Sequence, residues 1–274
     1  MLTASVVIYN SLKKDIQTVV ACIENSAVST VYVVDNASND SMKDFVKGLS
    51  EKVVYMQGHG NVGYGAANNI AIREAMKLGA TYHLVLNPDV EFVEGTLEKL
   101  ETFMNEHPNV GLVQPNAIYP NGNTQYLCKL LPAPADLIFR RFLPRTQTNS
   151  KRTKQYELHS MNRSTTNFDI PFLSGCFLFL RIDTLKQVGL FDERFFLYLE
   201  DVDLNRRIQD FAQTAFYPSA TITHTYGKGS YKKLYLLLQH ITSAMKYFNK
   251  WGWFSDKNRH EINRRMLKNL NIYG

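Results

Sequence analysis

Thr3–Asn36 reads TASVVIYNSLKKDIQTVVACIENSAVSTVYVVDN, and its periodicities decide the fold class. Thr3–Tyr9 is a short, β-branched apolar run, the pattern of a buried parallel strand. Asn10 and Ser11 can cap a helix, and Ile16, Val19, Val20 and Ile23 then fall on one helical face. Val31–Val34 is a second apolar strand. It stops at Asp35 and Asn36, at the head of a small polar run suited to a loop that opens a helix. The alternation continues through strand Val53–Met56, a Gly-rich turn and a helix from about Ala66 to Leu78. Strand Tyr82–Leu86, helix Glu94–Glu106 and strand Val110–Gln114 follow. This pattern predicts an α/β fold, an open, mostly parallel twisted sheet with helices on both faces. Ligands of such sheets bind at the carboxyl ends of the strands. Tyr9–Asn10, Asp35–Asn36 and Asn87–Pro88–Asp89 all stand there.

Residues 116–170 are polar loops and short elements around the apolar cluster LIFRRFL. The strand Phe172–Leu180 is interrupted by Ser174–Gly175. A helix starts at Asp183, and a second runs to about Phe211 with Leu204, Ile208 and Phe211 as its buried stripe. Thr214–Tyr217 and Thr221–His224 read as two short strands. Leu234, Leu237, Leu238, Ile241, Met245, Phe248 and Trp251 define one face of a last helix. The expected organisation is a domain over 1–230, made of a first half (1–115) and a second half (116–230). An amphipathic basic segment occupies 231–274.

The chain of 274 residues is long enough for a substantial core. No apolar run approaches the roughly 20 residues of a membrane span, and the N-terminus lacks the pattern of a secretory leader. Cys22, Cys128 and Cys176 have no metal-ligand spacing and read as reduced thiols. Of the net charge of +6, residues 228–274 carry +8, with ten Lys and Arg against two acids, so the remainder is −2. A polyanion-binding argument therefore concerns the C-terminal end alone.

The chemistry centres on Phe191–Leu204, FDERFFLYLEDVDL, where five acids stand among large apolar residues. Carboxylates brought inside need a cation, a donor or a chemical task. Glu200 and Asp201 open a helix whose dipole favours ionised carboxylates, and an ionised Asp201 can accept a proton from an attacking hydroxyl. Asp203 reads as a helix-start acid, and Asp192 and Glu193 as turn and surface residues. Asp35 can accept from a pyrimidine N3–H or a ribose hydroxyl, or simply open a turn. GHGNVGYGAANN has its glycines in the wrong order for a dinucleotide fingerprint. It offers backbone at Gly63 that can approach a ligand, with Asn68 in the next turn, or merely a flexible helix start. Asp89 projects from a rigid Asn87–Pro88 loop and suits Mg²⁺ or Mn²⁺ together with diphosphate oxygens; the competing reading has it capping the next helix. His224 precedes a basic glycine loop containing Lys228, fit for phosphate.

The runs SVVIYN, VYVVDNASND, GNVGYGAANN, LNPDVEF, FLSGCFLFLR, FDERFFLYLEDVDLNRR and ITHTYGKGS, in this order, resemble glycosyltransferase family 2, and within it the rhamnosyltransferase-like enzymes of bacterial polysaccharide assembly. The resemblance implies a GT-A fold and inverting transfer from a nucleotide-diphosphate sugar, dTDP- or UDP-linked, with 1–115 as the nucleotide-sugar-binding half and 116–230 as the acceptor-binding and catalytic half. By position it places Tyr9, Asn10, Asp35 and Asn36 at the nucleoside, with Gly63, Asn68, Asn87 and Lys228 also on the donor. Asp89 and His224 would hold the metal, and Asp201, beside Glu200, would be the base. Asn87 replaces the first Asp of the family's Asp-x-Asp motif.

The expected acceptor is a lipid-linked cell-surface glycan. The expected location is the cytoplasm, peripheral on the inner face of the cell membrane. Nucleic acid is not an expected partner, and a second copy of the chain is. The apolar C-terminal helix either lies on anionic lipid or covers the body or that second copy. A sugar-phosphate nucleotidyltransferase would need glycines after the first strand, which YNSLKK lacks. A non-catalytic polyanion binder would need a basic body.

Overall fold

The computed structural model describes residues 1–37, 42–137, 147–225 and 234–270. The N-terminal unit forms as β1 (Leu2–Ile8), α1 (Lys13–Glu24) and β2 (Val28–Asp35), with β1 and β2 parallel and Ile8 opposite Asp35. The helix start differs from the expectation. Leu12 holds the cap position without a side-chain hydrogen bond. Ser11 instead accepts from the Tyr9 N–H, and Asn10 sits at φ 51°.

Next come α2 (Lys43–Lys47), β3 (Val53–Met56), α3 (Tyr64–Lys77), β4 (Tyr82–Leu86), β5 (Val90–Phe92), α4 (Thr96–Glu106) and β6 (Val110–Ile118). The later chain forms β7 (Cys128–Lys129), α5 (Gln147–Tyr156), β8 (Asn167–Phe168), β9 (Phe172–Leu173), β10 (Phe177–Arg181) and α6 (Ile182–Val188). It ends with α7 (Glu200–Gln209), β11 (Gln213–His224), α8 (Leu234–Trp251) and α9 (Lys257–Asn269).

The main sheet has the order β3-β2-β1-β4-β10-β6-β11-β5, with β8 paired to β11. Its first four strands are parallel, as expected. The second half is mixed: β10 runs antiparallel to both β4 and β6, whereas β11 is parallel to β6. Phe179 of β10 lies opposite Val113 of β6, and Phe177 opposite Leu86 at the carboxyl end of β4. The two strands expected near the end are one, β11, with a register shift between Tyr217 and Thr221.

Side chains alternate across the sheet as period two demands. Ala4, Val6, Ile8, Phe177 and Phe179 pack under α1, α2 and α4. Val7, Val85, Leu178 and Leu180 pack under α3, α6 and α7. The stripe of α7 stops at Ile208, because the helix ends at Gln209; Phe211 is 60% exposed, contrary to expectation.

The C-terminal segment is fastened to the body. Ser243, Tyr247 and Phe248 of α8 are buried, the last two in a cluster with Phe195, Leu199, Val202 and Ile262. Asp203 is a buried anchor rather than a solvated helix-start acid. It pairs with Lys250 and Arg207 and accepts from the Trp251 indole N–H. Lys246 donates to the Arg194 carbonyl and Lys250 also pairs with Asp192. The other apolar face of α8, Leu234, Leu238, Ile241 and Met245, remains exposed. Among the described residues no helix is long and apolar enough to cross a membrane.

Candidate active site

The Gly-rich turn and the acidic stretch were read separately in the sequence; the fold presses one against the other. Gly63 has φ 92°, and a Cβ there would collide with the Phe196 backbone carbonyl. That carbonyl accepts from the Tyr64 N–H at 2.9 Å. A Cβ on Gly65 would lie 2.9 Å from the Phe191 Cβ and 3.4 Å from the Glu200 Cβ. These glycines admit close approach of protein, not of ligand, which corrects the expectation for Gly63.

Asn68 is corrected in the same way: it is fully buried. It accepts from the Ser5 hydroxyl at 2.7 Å and donates to the Tyr64 carbonyl at 3.0 Å. Ser5 in turn meets His83 Nε2 at 3.0 Å, and Thr3 meets its Nδ1 at 2.8 Å. Burial holds that imidazole neutral, with a pKa near 3. Asn68 therefore closes a core network and supports the site from beneath.

The chain reaches α7 through Tyr198 and Leu199, consecutive residues at φ 71° and 66°. Left-handed backbone costs a non-glycine residue about 1–3 kcal/mol, and such strain concentrates at functional sites. Phe195 and Leu199, both buried, hold the turn in place. It delivers the first turn of α7 into a cavity of about 290 Å³, whose lining includes Tyr64, Asn87, Lys129, Gly175, Glu200, Asp201 and His224.

Asp201 accepts from the Gly175 N–H at 2.8 Å through Oδ2 and from the Val202 N–H at 2.9 Å through Oδ1. A carboxylate has about four acceptor positions, so each oxygen keeps one for the cavity. Burial raises its pKa, against the pull of these two N–H groups and the Lys129 charge. Beside it Glu200 is 4% exposed, and its Oε2 has no hydrogen-bond partner. Burial, followed by the Asp201 charge, raises the Glu200 pKa well above the usual range. Burial thus pushes both carboxyls up, Glu200 the further, while two N–H donors and the Lys129 charge hold Asp201 back.

The raised Glu200 pKa makes stability depend on pH. A carboxyl whose pKa is raised on folding binds more protons folded than unfolded, so stability falls as pH rises above the ordinary glutamate value. Glu200→Gln is expected to raise the melting temperature by an increment that grows with pH from about 4.3 upward. Melting curves across pH 4–8 read this, and an increment independent of pH would refute it.

Asp89 and His224 are brought together by antiparallel pairing of β5 with the end of β11, Val90 opposite His224. Their side chains approach to 3.3 Å. Asp89 does not cap α4, whose cap position is Gly95. Gln125 meets His224 Nδ1 at 2.8 Å and so orients the ring. Burial opposes its charge, but the Cys176 thiol and the Asp89 carboxylate outweigh it and raise its pKa to about 10.

One carboxylate and one oriented imidazole, its proton released on binding, fit a divalent ion completed by ligand oxygens and water. Among the described residues no cluster of three or more His, Cys, Asp or Glu could hold one unaided. Asn87 also lines the cavity, its Oδ1 3.0 Å from the Tyr64 hydroxyl, whose one proton is shared with the Gly175 carbonyl.

The nucleoside candidates lie at the ends of β1 and β2. Tyr9 is 54% exposed. Asp35 is buried and accepts from the Tyr55 hydroxyl at 2.7 Å and the Ala37 N–H at 2.8 Å. Asn36 donates to the Gly63 carbonyl at 3.1 Å and meets His59 at 3.2 Å. Lys228 lies outside the described residues. Sequence reasoning missed Tyr64, Lys129 and Gly175 as site residues. Gly175 carried a signal, since it interrupts an apolar strand. A Cβ on it would stand 3.0 Å from the Asp201 carboxylate.

A sequence model of Glycosyl transferase family 2 matches residues 3–189. The N-acetylglucosaminyl-diphospho-decaprenol L-rhamnosyltransferase of Mycobacterium tuberculosis (strain CDC 1551 / Oshkosh) is 27% identical over 209 residues. That match covers 71% of this chain and 66% of the relative, just under two thirds of its length.

Among solved structures, the mannosyltransferase PcManGT from Pyrobaculum calidifontis, in complex with GDP-Man and Mn²⁺, superposes with a TM-score of 0.58 at 16% identity, covering 100% of this chain and 75% of that one. GalNAc-T7 with UDP, GalNAc and Mn²⁺ superposes with a TM-score of 0.61 at 15% identity, covering 82% and 43%. At these identities the likeness shows the fold: the expected GT-A architecture, with its mixed sheet.

Proposed function

Since the chain belongs to glycosyltransferase family 2, we propose that it transfers a sugar, rhamnose being the leading candidate, from a dTDP- or UDP-linked donor to a hydroxyl of a growing, lipid-linked cell-surface glycan. The observation that carries the reading is the Glu200–Asp201 pair, two adjacent buried carboxyls lining one cavity with Asn87 and His224. Asp201 takes the acceptor hydroxyl's proton as that oxygen bonds to the anomeric carbon. The bond from that carbon to the diphosphate breaks, and the nucleoside diphosphate leaves with the electron pair. One displacement inverts the configuration, and a single base suffices. Lys129 adds positive charge to the cavity. Tyr64 donates to the Gly175 carbonyl at 2.8 Å and so holds the loop that orients Asp201.

Mg²⁺ or Mn²⁺, held by Asp89 and His224, would neutralise charge on the leaving diphosphate. Tyr9, Asn10, Asp35, Asn36 and Lys228 remain the candidates for the nucleotide. The family match counts against the nucleotidyltransferase reading, and the −2 body against a polyanion binder. Screening nucleotide sugars for thermal stabilisation, with and without Mn²⁺, tests donor and metal together. The true donor is expected to stabilise the wild type further when Mn²⁺ is present, and Asp89→Asn to abolish that increment. An undiminished increment would exclude Asp89 as a ligand.

The exposed α8 stripe supports peripheral contact with a membrane surface. Removing the helix would be a poor test, because its opposite face is core. Leu238→Ser with Ile241→Ser changes only exposed positions. Burying each such side chain in lipid contributes roughly 1.5–3 kcal/mol, so flotation with anionic vesicles should weaken at least about tenfold. Unchanged flotation would leave a second copy of the chain as the stripe's occupant.

A further inference from the structure

A second concavity opens beside the catalytic one, between α5 and α9. It measures about 660 Å³, and its lining includes Arg152, Tyr156, His260, Arg264, Leu267 and Lys268. His260, Arg264 and Lys268 recur every fourth residue, so they project from one ridge of α9. The groove's acid, Asp136, is engaged by Arg152 Nε at 2.6 Å and by the Ala133 N–H at 2.8 Å. Arg259 is turned inward to Asp256. Arg264 and Lys268 are exposed and have no carboxylate partner among the described residues. The groove therefore carries uncompensated positive charge, with a guanidinium fork and an ammonium one turn apart, a donor set matched to phosphate oxygens.

Its position relates it to the reaction. Tyr156 lines both the groove and the catalytic cavity. Lys129 faces the cavity, and the next residue, Leu130, faces the groove. Asn263 locks α9 to this boundary by a pair of hydrogen bonds with the Leu131 backbone, each 2.9 Å. When a sugar is joined to a lipid through a diphosphate at its anomeric carbon, a hydroxyl across the ring is separated from that diphosphate by one sugar. A hydroxyl presented to Asp201 thus leaves the diphosphate just outside the cavity.

We propose that the α5–α9 groove binds the diphosphate of a lipid-linked acceptor, with Arg264 and Lys268 as its principal ligands. This assignment rests on the glycosyl-transfer reading and specifies the acceptor's anionic group, which the catalytic cavity itself does not contact.

The test uses the full chain and the variant Arg264→Gln/Lys268→Gln, whose positions are exposed and whose melting curve checks the fold. Inorganic pyrophosphate is titrated calorimetrically in the presence of EDTA. Flotation is then compared on phosphatidylcholine vesicles doped with a polyprenyl diphosphate or, at equal surface charge, with phosphatidylglycerol. The expected result is at least about tenfold weaker binding of pyrophosphate and of the polyprenyl diphosphate vesicles by the variant, as loss of charge-assisted hydrogen bonds implies. Binding to phosphatidylglycerol vesicles should change less than about twofold. Equal pyrophosphate affinity in the two proteins would overturn the assignment. So would an equal loss on phosphatidylglycerol, which would mark the ridge as a general anionic-lipid contact. Failure of the transfer chemistry is read separately, by Asp201→Asn, which should leave both binding assays unchanged.

Discussion

Asp201→Asn is expected to lower kcat for sugar transfer by about 100- to 10,000-fold, the range over which a positioned general base acts, while donor-induced thermal stabilisation persists. The amide matches the carboxylate in size but cannot take the acceptor's proton. It also meets two fixed donors, the N–H groups of Gly175 and Val202. An amide offers one oxygen, so its NH₂ must face one of them, leaving a poorly matched N–H worth about 1–3 kcal/mol. Melting curves therefore accompany the kinetics, so that lost folding is not counted as lost catalysis. The pH profile adds an independent readout. Because burial raises the Asp201 pKa, the acid limb of kcat/KM should lie above the ordinary aspartate value of about 3.9, with activity lost as pH falls through it. Transfer by Asp201→Asn at near wild-type rate would remove Asp201 from the role of base.

The second large effect concerns stability. Arg206 is 1% exposed and forms a fork-to-fork pair with Asp256, at 2.6 Å and 2.5 Å. Its guanidinium also lies 4.1 Å from the Trp251 ring centroid. Burial works against the Asp256 charge, but Arg206 outweighs it, so the Asp256 pKa falls below the ordinary carboxylate range. Asp256 also accepts from the Arg259 N–H at 3.0 Å and so caps α9.

Asp256→Ala strands a buried cation and removes a cap. Breaking such a pair from one side costs about 3–5 kcal/mol, and a cap about 1 kcal/mol more. The expected fall in melting temperature is on the order of 10 °C. Arg206→Met combined with Asp256→Asn should recover much of that loss, since both buried charges are removed together and the amide oxygen can still cap α9. If Asp256→Ala cost less than about 1 kcal/mol in denaturant titrations, the C-terminal helices would not be held by this pair. The contact also matters to the site, because Arg206 and Asp201 share α7. The segment that forms the basic groove is thereby tied to the helix that presents the base.

Much of this was legible in the chain itself. The β-branched runs of two faces and the helical stripe of Ile16, Val19, Val20 and Ile23 determine the alternating α/β order. Both are local periodicities, and burial enforces them wherever the elements pack. The strand-end polar residues and the acids among aromatics marked the site for the same reason: polar groups in apolar company are costly without a task. What one-dimensional spacing could not carry was contact between distant segments. Gly63 and Asn68 looked like ligand backbone and a ligand amide. The fold spends the first on Phe196 and the second on Ser5, because a glycine's missing Cβ serves any close neighbour. Asp203 read as a helix-start acid, yet it anchors Lys250, and Arg206 on the same helix anchors Asp256. Strand direction past β4, the pairing that sets Asp89 against His224, and the burial that raises both Glu200 and Asp201 were likewise decided only by tertiary structure. Register, burial and local dielectric exist only once the layers have closed, whereas periodicity is written in the order of the residues.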